Sequence, residues 1–199
     1  VANSMLQMLR DLNIRDQVFY SLPQIYFQRS DGKKVRLWGA VIDMGVTDRR
    51  RPQYLALQLV NKTISAATMI VTTHSVEPTW DQPEMNGVAL PGARYLQSFA
   101  FQRPGGGHAV VLFNLHLTDS MAVTFSGAIP SGDVTIERLE ALSVASNNED
   151  AVNVAVKTSI DESFNPDSPF VLAPHSLTVL TWSDSPGPSG SQGANHATQ

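Results

Sequence analysis

A chain of 199 residues, 42% hydrophobic and 16% charged, has material for one core and a small second layer, and it has no run of about 18 apolar residues to span a membrane. The absence of cysteine excludes disulfides, thiolate chemistry and cysteine-based zinc sites together, while leaving the compartment open. The net charge of −4 hides an asymmetry: residues 1–64 hold ten Lys/Arg against five Asp, and residues 65–199 hold four against thirteen Asp/Glu. Two differently built parts are implied. The cations are scattered apart from Arg49-Arg50-Arg51, with no nucleic-acid-binding motif around them, so no nucleic acid partner is expected. The N-terminus has no charged-then-apolar signal pattern.

In chain order, Ala2 to Leu12 reads as a helix, with Asn3 or Ser4 as cap and Met5, Met8, Leu9 and Leu12 on one face. Gln17 to Leu22 is a short strand ended by Pro23, and its apolar Val18 to Leu22 stretch becomes a site for association where no neighbouring strand pairs it. The connection from Pro23 to Arg51 is far longer than usual for a strand–helix unit, and its aromatics argue against disorder. Ser30-Asp31-Gly32-Lys33 marks a turn that folds it into a hairpin. Pro52 opens a second helix, reaching Ile64, with Leu55, Ala56, Leu59 and Val60 inward. Arg49 to Arg51 then sit at the positive end of its dipole, where carboxylates must offset them, and Asp43 and Asp48 are the nearest in sequence.

From Thr68 the period changes to two. Strands are expected at Thr68–Val76, Arg94–Gln102, His108–Leu117, Met121–Ser126, Val134–Leu142, Val152–Thr158 and Leu177–Trp182, with a shorter one at Phe170–Leu172. His108–Leu117 should be central, and the shift of the inward set from Val134 and Ile136 to Leu139 suggests a bulge. Alternation puts Val111, Phe113, Val123, Phe125, Val154 and Val179 in a core that residues 65–182 would form without the N-terminal part. Residues 183–199 read as a disordered tail. The fold class is therefore mainly β: an antiparallel β-sandwich (65–182) preceded by a partial α/β segment with two helices (1–64).

Four short motifs, in this order and spacing, resemble the end of a (β/α)8-barrel retaining glycoside hydrolase of the arabinofuranosidase, xylosidase or glucuronidase kind. They are Phe19-Tyr20-Ser21-Leu22 at a strand end, Trp38-Gly39 after a long loop, Arg51-Pro52-Gln53-Tyr54-Leu55-Ala56-Leu57 at a helix start, and the closing strand Pro174-His175-Ser176-Leu177-Thr178-Val179-Leu180. A closed barrel needs about 250 residues, so the resemblance implies the last barrel unit plus an accessory β-sandwich. It also implies a bacterial, secreted or periplasmic setting. Such enzymes use two glutamates at the ends of the fourth and seventh strands, about 5 to 5.5 Å apart. Residues 1–64 contain no glutamate, so both would lie upstream of Val1 and no catalytic residue is assigned to this chain. Asp31, Asp43 and Asp48 are read as surface or helix-entry residues.

Aromatics are the remaining candidates, because sugars present C–H faces that stack on rings. Tyr20, Tyr26 and Trp38 are the candidate substrate-binding residues, with Phe27 beside them; packing of the strand end against the sandwich is the competing role. Trp80, placed in a loop near Asp81 and Glu84, and Trp182 are read as structural. His108 and His116 on one strand would stand about 27 Å apart, and His74 and His175 have no ligand neighbours, so neither a metal nor a cofactor is expected. Arg103 to His108 is glycine-rich but leads into a strand, so it is a hairpin turn rather than a phosphate loop. Asn61-Lys62-Thr63 matches a glycosylation sequon by chance, inside a helix.

Three roles follow. The favoured one is an accessory portion of a glycoside hydrolase, inactive alone, whose partner is the catalytic barrel portion or another copy of the chain, with carbohydrate as ligand. The others are an independent carbohydrate-binding module, marked by aromatics on an open sandwich face, and a self-assembling surface protein.

Overall fold

The computed structural model describes residues 2–11, 22–37, 39–76 and 78–184. In chain order these form α1 (Ala2–Met8), the strands β1 (Tyr26–Gln28), β2 (Lys34–Arg36), β3 (Val41–Ile42) and β4 (Arg49–Arg50), and then α2 (Pro52–Ser65). Ten further strands follow: β5 (Met69–Val71), β6 (Thr79–Met85), β7 (Val88–Arg94), β8 (Leu96–Arg103), β9 (Gly107–Asn114), β10 (Met121–Val123), β11 (Val134–Leu139), β12 (Val156–Asp161), β13 (Phe170–Leu172) and β14 (Ser176–Ser183). The protein is mainly β, as its alternation implies, with one six-stranded antiparallel sheet in the order β12-β11-β14-β9-β8-β5. β9 lies inside it, paired along its whole length with β14 and β8. The pairs β1-β2, β3-β4, β6-β7 and β10-β13 are separate two-stranded sheets.

Both faces of the large sheet are buried, each by a different layer. On one face Phe99, Phe101, Val111, Phe113, Leu139, Leu177 and Val179 pack with Ala2 and Leu6 of α1 and Leu59 and Val60 of α2. On the other, Val110, Leu112, Val134, Ile136, Leu180 and Trp182 pack with Val123, Phe164, Phe170 and Leu172 around the small β10-β13 sheet. Successive side chains of a strand point to opposite faces, so β9, β11 and β14 each feed both cores. Leu139 therefore needs no bulge to turn inward. It belongs to the helix-side core while Val134 and Ile136 belong to the other, and β11 keeps unbroken register with β12 and β14. The same alternation means that residues 65–182 do not cover the helix-side face by themselves; α1 and α2 do.

Local chemistry explains the other departures. α1 buries Ala2 and Leu6 and leaves Met8 45% exposed, because Met5 and Leu9, not Met8, pack beside Leu6; Leu12 lies outside the described residues. α2 starts at Pro52 as expected, with Leu59 and Val60 buried and Leu55 and Ala56 packed beside them. Thr63 of the sequon is buried and bonds back to Leu59 O at 3.0 Å. The first sandwich strand is only Met69–Val71. Residues 79–94, read as loop around Trp80, form a hairpin turned by Asn86 and Gly87, both at positive φ (54° and 80°). The strand expected at Val152 begins at Val156, because Asn148 takes the backbone ahead of it: its Oδ1 accepts from Asn153 and Val154 N–H at 2.9 and 2.8 Å, and its Nδ2 donates to Val154 O at 2.8 Å.

Candidate functional site

The loop between Pro23 and Arg51 folds as the turn signal implies. Tyr26, Phe27 and Gln28 pair with Arg36, Val35 and Lys34 across a hairpin, and Asp31 Oδ1 accepts the Lys33 N–H at 3.1 Å. Of the three candidate sugar-stacking residues, Tyr20 and Trp38 lie outside the described residues. Tyr26 is 39% exposed, with the Lys34 ammonium 4.9 Å from its ring centre, a cation–π distance that leaves one ring face occupied. Its hydroxyl donates to Asp43 Oδ1. That hydrogen bond to an acceptor which favours the protonated phenol, with desolvation and the Asp43 charge behind it, raises the Tyr26 pKa above the ordinary 10.0.

Asp43 organises the turn that follows. It sits at φ 47°, a left-handed conformation that Asp tolerates better than most residues, and its carbonyl accepts the N–H groups of Val46, Thr47 and Asp48 at 2.9, 3.0 and 3.3 Å. Its second carboxylate oxygen lies 3.5 Å from Arg49 Nη2. Asp48, expected beside the arginines, instead accepts Gly45 N–H at 2.7 Å. Asp43 thus offsets Arg49 from nearby, as expected, while the carboxylates that offset Arg51 and Arg36 come from 98 or more positions away. Arg51, 8% exposed, meets Glu149 through Nε–Oε1 at 2.6 Å and Nη2–Oε2 at 3.0 Å, and its Nη1 donates to Leu37 O and Gly39 O at 3.1 and 2.7 Å. Arg36 Nη1 reaches Asp150 Oδ1 at 3.0 Å, a contact that raises its pKa, and Arg49 Nη1 donates to Asp150 O at 3.1 Å. Gly39 is the close-packing point: at φ 129°, a Cβ there would stand 2.5 Å from Gln24 Cα and Pro23 O.

This arrangement binds the hairpin, the entry to α2 and the 148–150 loop into one polar junction. Each of its carboxylates, Asp43, Glu149 and Asp150, is turned onto a guanidinium. A retaining glycosidase needs one carboxylate free to attack and another holding a proton, and the junction is built as a strut instead. The histidines are dispersed. His108 Nε2 lies 3.1 Å from both Asp184 carboxylate oxygens and stacks on Trp182, while His175 bonds Leu117 O and Ala141 O. No group of three or more His, Asp or Glu among the described residues could hold a metal ion. Trp80 stacks near Tyr95 at 6.1 Å and Trp182 is buried. No helix of the described residues is long and apolar enough to cross a membrane.

No protein-family model matches the sequence, and no curated protein matches it. Solved structures do match. The α-L-arabinofuranosidase of Thermotoga maritima, in complex with arabinose, superposes with a TM-score of 0.63 at 17% identity over 73% of this chain and 31% of that enzyme. A family 51 α-L-arabinofuranosidase from Bifidobacterium longum gives 0.64 at 10% identity over 92% of this chain and 34% of that one. The chain shares its fold with family 51 α-L-arabinofuranosidases. The thermostable family 51 enzyme of Thermotoga petrophila gives the same picture, with a TM-score of 0.63 at 17% identity. The chain spans about a third of the length of these arabinofuranosidases.

Proposed function

We propose that the chain is the C-terminal accessory portion of a glycoside hydrolase. It supports a catalytic barrel, lines its sugar-binding cleft through Tyr20, Tyr26 and Trp38, and is not catalytic alone. The observation that carries this reading is the fold likeness itself, which takes in most of this chain and only a third of the arabinofuranosidases. The surface of the N-terminal part agrees with it. Phe27 is 56% exposed and Val46 84% exposed, and Ile25 and Met44 are exposed beside them in sequence. Exposed apolar side chains also occur along the rest of the chain; on this segment the catalytic barrel is the body assigned to cover them. The long loop of a barrel's last unit lies at the strands' C-terminal ends, where substrate sits; this is the reason to assign Tyr26 to the cleft.

The test is turnover by the purified chain on aryl α-L-arabinofuranosides and aryl β-xylosides. The expected result is no hydrolysis above the uncatalysed rate. Activity that follows the chain through a second purification and disappears in Asp43→Asn or Asp48→Asn overturns the proposal.

A further inference from the structure

The small β10-β13 sheet covers only part of the large sheet's second face. Beside it a groove of about 380 Å³ stays open over β8 and β9, between the 71–75 segment that follows β5 and the 123–128 segment that follows β10. Its floor is made of short side chains, Ser98 and Ala100 on β8, next to Val110 and Leu112 on β9. Its walls carry Thr72, Ser75, Thr124 and Ser126. Phe125 gives it a half-buried aromatic edge, and the stacked His108–Trp182 pair, 5.3 Å between ring centres, closes one side.

The chemistry of this lining is specific in two ways. Among the described residues no Lys, Arg, Asp or Glu lines the groove, and His74 and His108 are its only titratable side chains, so no permanently charged described side chain stands ready to offset a charged ligand. The groove's lining includes the hydroxyls of Thr72, Ser75, Ser98, Thr124 and Ser126, groups that can both donate and accept a hydrogen bond. His108, whose Nε2 meets the Asp184 carboxylate, adds a polar ring edge to the lining. A cleft of this size, apolar at its base with neutral donor-acceptor groups around its rim, fits a small ligand that has hydroxyls at its edge and C–H groups on its faces.

We propose that this groove is a binding site for a neutral sugar, one or two residues in length. It lies on the face of the large sheet opposite α1 and α2, separate from the Tyr26 junction, and does not depend on the chain's role beside a catalytic barrel. A single sugar residue bound here tethers the protein to a polysaccharide without being cleaved.

The test is a titration of the isotope-labelled full chain, followed by amide chemical shifts, with neutral pentoses, neutral hexoses and their disaccharides, and with galacturonic acid as a charged control. At least one neutral sugar is expected to shift the amides of Ser98, Ala100, Thr124 and Ser126 saturably, with galacturonic acid weaker. Ala100→Leu, which fills the floor from a half-buried position facing open space, is expected to weaken binding by about tenfold or more. Thr124→Val, an exposed and nearly isosteric change, removes one hydroxyl and is expected to weaken it with no change in unfolding midpoint; this variant keeps the test decisive should Ala100→Leu disturb the fold. Absence of saturable shifts with every neutral sugar, equal or tighter binding of galacturonic acid, or binding indifferent to Thr124→Val overturns the assignment.

Discussion

Replacing Phe113 by alanine is expected to destabilise the protein by about 3–5 kcal/mol. Phe113 is 6% exposed on β9, an interior strand paired along its length on both sides. Its ring meets Phe99 edge-on, with centroids 6.1 Å apart, a geometry that adds to simple burial. The surrounding helix-side core also holds Leu6 and Leu59, so the cavity opens between the helices and the sheet rather than inside one layer. Neither layer can close it without moving against the other, and interiors packed to crystal-like density relax only partly. Chemical denaturation of the full chain measures the effect. A loss under about 1 kcal/mol is outside the range for a large aromatic buried in this way and would show that the helices do not close over this face.

The second large effect is expected at Arg51. Its guanidinium is almost fully buried, holds Glu149 bidentately and caps two carbonyls of the preceding loop. Removing one partner of such a pair leaves the other charge uncompensated, which costs about 3–5 kcal/mol when both are buried. Glu149 keeps 28% of its side chain exposed, so the cost of Glu149→Ala is placed below that range, at about 2–3 kcal/mol. Arg51→Ala loses the carbonyl contacts as well and is expected to cost more. Arg51→Lys is expected to rescue little, because a point ammonium cannot reproduce the planar fork that spans both carboxylate oxygens. Thermal unfolding of the single and double variants checks this: the double variant should cost clearly less than the sum of the singles. Strict additivity would mean that the two side chains do not act as a pair.

The parts of this architecture visible in the sequence are those fixed by neighbours in sequence. Pro52 followed by inward residues at helical spacing gives α2, Ser30 to Lys33 gives the β1-β2 hairpin, and alternation gives the strands through β9, β11 and β14. What stayed hidden depends on contacts made by distant residues. Nothing near Glu149 marks it as the partner of Arg51, since the pair forms only when the 148–150 loop folds back beside the entry to α2. The second covering layer was likewise invisible: strands apolar on both faces read as central, yet the pattern does not say that helices cover one face and a small sheet the other. One signal was present and passed over. Asn86-Gly87 is the dipeptide a type I′ hairpin demands, but Pro83 and Pro91 inside its arms, and arms exposed on both faces, removed the alternation by which a strand is usually recognised. At the candidate site, Tyr26 was legible as an exposed aromatic; its lock to Asp43, 17 residues on, was not.

The reading of the chain as a non-catalytic part of a larger enzyme is tested most directly by covalent trapping. A retaining glycosidase attaches the sugar to its own nucleophilic carboxylate before water releases it, so an activated 2-fluoro glycoside that forms this adduct and hydrolyses slowly labels any chain that carries the nucleophile. Incubated with such arabinofuranosyl and xylosyl reagents and weighed intact by mass spectrometry, the purified chain is expected to keep its unmodified mass. A mass increase of one fluoroglycosyl group, located by peptide mapping on an Asp or Glu of this chain and abolished by denaturing the protein first, would contradict the account.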